Sequence, residues 1–324
     1  MSVMKIGIVG ISGYGGSELL RLCLSHPGFE LAYAAGESTA GQSLAQRFPA
    51  LAGHPAGALA IQPFEPDGIR GIDLLFASLP TGKSREPLAR VPRTVKVLDV
   101  GGDHRFAEGW VYGLTELPGQ REKLKGAARV ANPGCYPAAA LLALAPLVRD
   151  GLVEPEGIVI DAKSGVTGTG RGSAADFGYV ETSEDLFAYG LATHPHVPEM
   201  REALTRLAGR PATLAFTPHL VPMTRGILAT CYARPLDGAP HPDDLRGRYA
   251  DFYADHPFVE VVERPPGMRP VQHTNYAQVC PMVDPRTGRV TVFSVIDNLG
   301  KGAAGQAVQN LNLMAGRPEA EGLR

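Results

Sequence analysis

The sequence is poor in the features that mark secreted, membrane-spanning or nucleic-acid-binding proteins. Its four cysteines lie far apart, with no Cys-x-x-Cys pair and no spacing typical of metal ligands. The longest apolar run, residues 138–147, is too short to cross a bilayer and is interrupted by Pro146. A formal net charge of −2 leaves no excess of Lys and Arg for nucleic acid phosphates. We therefore expect a cytoplasmic protein with no bound metal and no nucleic-acid or membrane partner.

The first half of the sequence alternates short apolar runs with helical patterns. Apolar runs at residues 5–10, 30–34, 73–77 and 95–100 predict parallel strands buried on both faces. A helical pattern, residues 17–24, follows the first run. This alternation predicts an α/β fold built on a doubly wound parallel sheet. The full length of 324 residues is enough for a second core.

A glycine-rich turn directly follows the first predicted strand and opens a helix. Its spacing is Gly10-x-x-Gly13-x-x-Gly16, with Ser12 and Tyr14 between the glycines. Glycines let the backbone approach a pyrophosphate, and the helix N-terminus presents N–H groups to it. The turn therefore predicts a dinucleotide site, and the alternative is a tight turn that binds no ligand.

The residues after the second predicted strand bear on which dinucleotide is bound. Glu37 lies where an acidic side chain bonds the ribose 2′-hydroxyl of NAD and repels the 2′-phosphate of NADP. Ser38 and Thr39 could instead donate hydrogen bonds to a phosphate. The residues themselves favour NAD slightly.

The segment Asn132-Pro133-Gly134-Cys135-Tyr136-Pro137 places a cysteine just before a strongly helix-forming stretch. The positive end of the helix dipole stabilises a thiolate there, so Cys135 is the predicted nucleophile. The alternative is a capping turn that happens to contain a cysteine. The remaining cysteines lie in apolar contexts and are expected to be inert core residues: Cys23, Cys231 and Cys280.

A nucleophilic thiolate needs an acid/base partner, and Thr193-His194-Pro195-His196-Val197-Pro198-Glu199 provides two histidines before a helix. His196 is the predicted acid/base residue, His194 is the alternative, and Glu199 could orient an imidazole. Two His residues can also bind zinc, but no third ligand lies at a useful spacing. Four further histidines lie beside Pro or Gly and are expected on the surface: His26, His54, His241 and His256.

The cysteine segment, together with several others, resembles the N-acetyl-gamma-glutamyl-phosphate reductase family of arginine biosynthesis. The further segments that carry the resemblance extend over nearly the whole chain: the glycine turn, Asp99-x-x-x-Asp103-His104-Arg105-Phe106, Tyr112 to Leu117, Ser164 to Arg171, His194 to Glu199, Pro218 to Gly226 and Asp297 to Gln306. Several motifs in one order are far more specific than any single motif.

The resemblance implies a Rossmann domain, an inserted α+β catalytic and oligomerisation domain, and a C-terminal helix that returns to the first domain. The boundaries expected here are residues 1–134 plus 302–324 for the first domain and 135–301 for the second. Three strands of the second domain and the final helix are also indicated by the residue pattern: 214–217, 227–232, 289–296 and 303–314. The family suggests a homotetramer or a homodimer.

The resemblance also implies a mechanism. The Cys135 thiolate displaces phosphate from a small-molecule acyl phosphate, and NADPH reduces the resulting thioester to an aldehyde, with His196 as proton donor. Backbone N–H groups at the helix start are expected to hold the oxyanion. Further cofactor contacts are expected from Ser164, Gly165 and Asn298. Candidates for phosphate or carboxylate contacts are Arg105, Lys163 and Arg225.

Some alternatives stay open at this stage. Many family members carry Arg where this chain has Glu37, so NADP follows from the family and NAD is possible from the residue. The substrate could be a related acyl phosphate, either aspartyl phosphate or a carrier-bound aminoadipyl or glutamyl phosphate. Carrier-dependent relatives tend to carry Ala and Asn around the cysteine where this chain has Pro133 and Tyr136, so the resemblance favours the acetylated substrate. A nucleotide-sensing protein without enzymatic activity is the alternative from another class.

Overall fold

The structure is a computed structural model and describes residues 3–173, 177–236 and 241–323. The chain divides into two compact units. The first unit consists of Met1–Pro133 and Ala303–Arg324, and the second of Gly134–Gly302.

The first unit contains a six-stranded sheet in which every neighbouring pair of strands is parallel. In chain order the strands are β1 (Met4–Val9), β2 (Phe29–Ala35), β3 (Leu74–Ala77), β4 (Lys96–Asp99), β5 (Val111–Tyr112) and β6 (Arg129–Ala131). Their order across the sheet is β2-β1-β3-β4-β6-β5. The runs are apolar because both faces are covered, and Ile6, Ile8 and Phe76 are fully buried. The predicted α/β fold and the four predicted strands are confirmed.

Short helices connect these strands. They are α1 (Tyr14–Ser25), α2 (Leu44–Arg47), α3 (Arg85–Arg90) and α4 (Gln120–Leu124). The helix α1 begins at the glycine turn, so its N-terminus lies at the carboxyl end of β1, where α/β sheets bind ligands.

The second unit contains a mixed seven-stranded sheet. Its strands are β7 (Ile158–Gly165), β8 (Phe187–Ala188), β9 (Leu214–Val221), β10 (Ile227–Ala233), β11 (Val259–Val261), β12 (Ala277–Val283) and β13 (Val290–Ile296). Their order is β11-β12-β13-β10-β7-β9-β8, with parallel pairing in β7–β9 and β11–β12. Along β7 burial alternates, so Ile160, Ala162 and Ser164 are buried while Asp161 and Lys163 are half-buried.

The helices of the second unit are α5 (Cys135–Arg149), α6 (Tyr179–Thr182), α7 (His196–Ala208) and α8 (Pro242–Tyr253). The helix α5 is buried from Tyr136 to Val148, and it packs against α7 and against β10, β12 and β13. A helix that is apolar all round belongs in a core, which explains the uninterrupted alanine and leucine run. Among the described residues, no helix combines the length and the apolar character that crossing a bilayer requires.

The C-terminal helix α9 (Gly305–Met314) belongs to the first unit and packs against α1. It follows a π-helical turn, Gly300–Ala304, so the regular helix starts later than the predicted residue 303. Its polar side chains are fully buried. Two of them bond to the chain around residues 113–116, as Asn310 Nδ2 donates to Gly113 O (2.7 Å) and Gln309 Nε2 to Glu116 Oε1 (3.0 Å).

The expected surface position of His26 is wrong. The imidazole is 4% exposed and stacks on Phe29, with 3.6 Å between ring centroids. Its Nδ1 accepts the Gly28 N–H (3.0 Å), so its Nε2 donates to Asn312 Oδ1 (3.1 Å) on α9. The C-terminal segment covers His26, and this burial cannot be predicted from the proline beside it in the sequence.

Candidate functional site

The glycine turn has the backbone geometry that a dinucleotide fingerprint requires. Gly10 has φ +74°, and a Cβ there would lie 2.1 Å from the carbonyl oxygen of Ser78. A Cβ on Gly16 would lie 2.2 Å from Gly10 O, so helix α1 packs against the turn too closely for any residue except glycine. Gly13 caps α1 without a side-chain hydrogen bond, and a Cβ there would meet nothing closer than 3.4 Å. The first-turn N–H groups of α1 therefore suit a pyrophosphate.

A small polar cradle follows β2. Thr39 is 8% exposed, and its Oγ1 has no hydrogen-bond partner among the described residues. A Cβ on Gly36 would lie 2.8 Å from Thr39 Oγ1 and 3.6 Å from Ser12 Oγ, so both hydroxyls line the space above this glycine. Glu37 and Ser38 are exposed. The orphaned hydroxyl and the glycine cradle fit the ribose end of a dinucleotide.

Cys135 differs from the other cysteines in its surroundings. It is the first residue of α5, it is partly exposed, and Gly134 is the N-cap. A Cβ on Gly302 would lie 2.9 Å from Cys135 Cβ, so a glycine packs directly against the cysteine. The predicted inert cysteines are buried, and burial raises the pKa of each thiol: Cys23, Cys231 and Cys280.

Two side chains from the first turn of α7 reach Gly134. His196 begins the helix, and a Cβ on Gly134 would lie 2.5 Å from its Nε2. Glu199, three residues later, accepts the Gly134 N–H at Oε1 (3.0 Å) and is 4% exposed. The imidazole and the carboxylate therefore both contact the residue that precedes Cys135.

His194 has a different environment from His196. Its Nδ1 accepts the backbone N–H of His196 (3.2 Å), so its remaining proton lies on Nε2. Its ring stands edge-on to Phe216, Tyr136 and Tyr189, with centroid separations of 5.3, 5.5 and 5.6 Å. Burial lowers the pKa of His194 to about 4. The imidazole is therefore neutral near pH 7.

Lys163 lies on the other side of the sheet from the Cys135 helix. Phe216 pairs with Ile160 in the sheet and packs against Tyr136 of α5, with 5.2 Å between ring centroids, so the face of Ile160 looks toward α5 and Lys163 projects from the opposite face. There its Nζ pairs with Asp161 Oδ1 (2.8 Å), which also contacts His219 Nδ1 (3.2 Å). The structure does not bring Lys163 to the nucleophile, contrary to the expected substrate contact.

Arg225 is held by a buried carboxylate. Its Nε and Nη2 donate to Asp297, with distances of 2.9–3.2 Å, and Asp297 is fully buried. Asp297 also accepts the backbone N–H groups of Leu299 (2.8 Å) and Gly300 (2.9 Å). Because a carboxylate already neutralises it, Arg225 holds the chain after β13 in place.

Three residues expected to contact the cofactor make internal contacts in the second unit. Asn298 accepts the Gly226 N–H at Oδ1 (2.8 Å) and donates from Nδ2 to Thr167 Oγ1 (2.9 Å). Ser164 Oγ donates to Gly165 O (3.0 Å). A Cβ on Gly165 would lie 2.8 Å from Arg225 N. These contacts tie the ends of β7, β10 and β13 together.

Arg105 lies in the first unit, and its Nε donates to Asn132 O (3.0 Å). The preceding His104 is buried, pairs with Asp99 through Nδ1 (2.7 Å), and stacks on Trp110 with 3.8 Å between centroids. The Arg105 backbone is therefore fixed by a buried neighbour.

Comparison with known proteins agrees with this geometry. Residues 5–127 match the family described as semialdehyde dehydrogenase, NAD binding domain, and residues 135–298 match its dimerisation domain. A protein of Bradyrhizobium sp. (strain ORS 278) named N-acetyl-gamma-glutamyl-phosphate reductase is 53% identical over 321 residues, covering 99% of this chain and 97% of the relative. A protein of the same name from Methylobacterium sp. (strain 4-46) is 52% identical, covering 99% and 97%.

The chain belongs to the N-acetyl-gamma-glutamyl-phosphate reductase family. The family predicted from the sequence motifs is thus confirmed, and so is a nicotinamide-binding first unit.

Solved structures share the fold of this reductase family member. Aspartate semialdehyde dehydrogenase II from Vibrio cholerae has a TM-score of 0.74 at 17% identity, covering 97% of this chain and 99% of that chain. Aspartate semialdehyde dehydrogenase with NADP from Candida albicans has a TM-score of 0.75 at 16% identity, covering 97% and 98%. The predicted Rossmann-type sheet with a second α+β unit is confirmed.

Sequence reasoning missed two tyrosines in this reductase-family site. Tyr189 Oη donates to Tyr136 Oη (3.2 Å), which donates to the backbone oxygen of His219 (3.2 Å). Burial raises the pKa of both phenols, so both stay protonated. Tyr136 could have been found because it adjoins the cysteine. Tyr189 lies in an irregular stretch and has no local signal.

Proposed function

We propose that this chain catalyses the NADPH-dependent reduction of N-acetyl-γ-glutamyl phosphate to N-acetylglutamate 5-semialdehyde and phosphate, a reaction of arginine biosynthesis. The observation that carries the proposal is the arrangement at Gly134. There a partly exposed cysteine begins α5, and His196 and Glu199 contact the preceding residue, in a chain of this reductase family.

Cys135 is the proposed nucleophile. The N-terminus of α5 favours the thiolate over the thiol. The sulfur attacks the acyl carbon, an S–C bond forms, and the C–O bond to phosphate breaks with its electron pair leaving on phosphate. The product of this half-reaction is a thioester on Cys135.

His196 is the proposed acid/base residue, because its Nε2 edge lies against the residue next to Cys135. It accepts the thiol proton to give the attacking thiolate, and it returns that proton to the sulfur when the S–C bond breaks to release the aldehyde. Neutral His194 does not compete for this proton, since burial lowers its pKa to about 4. We assign His194 the role of a fixed neighbour of His196.

The first unit is the proposed holder of the cofactor. The glycines of the turn and the N-terminus of α1 would hold the pyrophosphate, with Ser12 and Tyr14 beside it. When bound, the nicotinamide supplies the hydride that reduces the thioester carbon. We propose NADP as the preferred cofactor, because the unpartnered hydroxyl of Thr39 can donate to a 2′-phosphate. The exposed carboxylate of Glu37 opposes this preference.

Arg105 is the proposed ligand of the substrate phosphate. Its Nε donates to the backbone oxygen of Asn132, which holds the guanidinium in place. The planar fork of a guanidinium matches the oxygens of a phosphate, which suits arginine to this role.

The chain is proposed to self-associate through a surface of its second unit. One face of its sheet is covered by α5 and α7, and the other carries half-buried residues of β7 and β10, among them Asp161, Lys163 and Leu228. Residues 135–298 match a dimerisation domain. We therefore propose a homodimer through this second face, or a homotetramer built from such dimers.

The reverse reaction tests the substrate. With phosphate and NADP⁺, we expect N-acetylglutamate semialdehyde to be oxidised faster than aspartate semialdehyde. Faster oxidation of aspartate semialdehyde would assign the enzyme to another acyl phosphate. No oxidation of either aldehyde, with cofactor binding retained, would favour a nucleotide-sensing protein.

A further inference from the structure

Gly134 is held from two sides by one helical turn. The Glu199 carboxylate bonds to its N–H (3.0 Å), and the imidazole of His196 fills the space where a side chain would project. The two side chains are three residues apart, so they share one face of α7. The distance between the His196 imidazole and the cysteine turn therefore depends on the length of the hydrogen bond between Glu199 and the Gly134 N–H.

The contact has the properties of a structural anchor. The N-cap Gly134 has no side chain, so α5 receives a cap from another helix in the form of Glu199. The carboxylate is 4% exposed, and a buried carboxylate that lost this donor would be costly. The bond also occupies the Gly134 N–H, so an oxyanion in this site must use other donors.

The charge of Glu199 alone does not explain its location. A carboxylate at the N-terminus of α5 lies at the same positive end of the dipole as a Cys135 thiolate. Two negative charges there disfavour each other, which makes the nucleophile harder to ionise. To accept the Gly134 N–H, the side chain needs an oxygen at the right distance, and that oxygen does not have to carry a charge.

We propose that Glu199 is a positioning residue whose acceptor bond to Gly134 sets the separation between α7 and the Cys135 turn, and thereby places His196. The inference rests on the proposed function, because its readout is the proposed reaction. The role of Glu199 is then to accept a hydrogen bond from the backbone, and not to orient the imidazole through its charge.

Three substitutions separate acceptor from charge. Glu199→Gln keeps the length and an acceptor oxygen, Glu199→Met keeps the length without an acceptor, and Glu199→Asp keeps the charge on a shorter side chain. We expect Glu199→Gln to lower kcat by at most about tenfold, because a neutral amide oxygen accepts a weaker bond. We expect Glu199→Met and Glu199→Asp to lower kcat by about 10²-fold, through misplacement of His196 by the order of 1 Å.

The pH profile of kcat gives a readout that a general loss of stability would not produce. Glu199→Gln and Glu199→Met both lose the charge, so their pH profiles of kcat should have the same shape and differ only in height. Matched controls are Glu202→Gln and Glu202→Asp, since Glu202 lies on the same helix with an exposed carboxylate that pairs with Arg206. Both controls should keep wild-type kcat.

The inference is overturned if Glu199→Asp is more active than Glu199→Gln, if Glu199→Gln and Glu199→Met are equally impaired, or if the pH profiles of kcat for Glu199→Gln and Glu199→Met differ in shape. If Glu199→Asp does not fold, the Gln–Met comparison still decides. Cys135→Ser in the same series keeps the two claims apart. Full turnover in Cys135→Ser would contradict the proposed function, whereas an inverted order among the Glu199 variants contradicts the anchor alone.

Discussion

Gly134→Ala should disable the site while leaving the backbone unstrained. Gly134 has φ −69° and ψ 158°, which alanine adopts freely. The new Cβ would lie 2.5 Å from His196 Nε2 and 2.9 Å from its Cε1. Atoms in comfortable contact are about 3.5 Å apart or more, so the imidazole must retreat by about 1 Å.

A retreat of this size costs about 10²-fold in rate when it misplaces a reacting group. That loss corresponds to about 2.7 kcal/mol of transition-state stabilisation. We therefore expect kcat of Gly134→Ala to fall about 10²-fold, with KM for NADP⁺ unchanged because the glycine turn lies in the other unit.

The assay follows NADPH absorbance in the reverse direction, with purified variants and saturating aldehyde and phosphate. Gly53→Ala is the matched control, because a Cβ at Gly53 would meet nothing within 4 Å. It should keep wild-type kcat. If Gly134→Ala keeps more than about half of the wild-type kcat, then the imidazole does not need its position beside Gly134 and the reasoning is refuted.

Three further predictions concern the cofactor and stability. Thr39→Val should raise KM for NADPH about fivefold, equivalent to about 1 kcal/mol, with KM for NADH unchanged. Equal effects on both cofactors would show that the Thr39 hydroxyl does not bind the 2′-phosphate. Glu37→Arg should raise the NADPH:NADH ratio of kcat/KM, and a gain that does not shrink with added salt would not be electrostatic. Burial lowers the folded-state pKa of His194 from 6.5 to about 4, so the unfolded chain binds the proton first and stability is lost as pH falls between these values. The Tm of wild type should fall more than that of His194→Phe between about pH 7 and pH 5, and parallel falls would contradict the burial of His194.

Much of the first unit could be predicted because its signals are local. Apolar runs bounded by glycine mark parallel strands, and the turn from Gly10 to Gly16 owes its form to steric contacts within a few residues. The helix position of Cys135 follows in the same way from Pro137 and the alanine-rich stretch after it.

The errors concern long-range contacts and sheet faces. His26 is buried by residues nearly three hundred positions away, including Asn312. The position of Lys163 could have been predicted from the sequence. Ile160, Ala162 and Ser164 alternate along β7 on one face of the sheet, so the residues between them belong to the other face. The Glu199 contact with a backbone N–H on another helix has no counterpart in the sequence pattern.

Direct detection of the acyl-enzyme tests the central claim. Wild-type protein mixed with N-acetyl-γ-glutamyl phosphate without NADPH should gain the mass of one acyl group on the peptide that contains Cys135, and addition of NADPH should remove it. Cys135→Ser should gain no mass, while Cys231→Ser, which changes a fully buried thiol, should behave as wild type. Turnover by wild-type enzyme without any acyl adduct on Cys135 would contradict covalent catalysis.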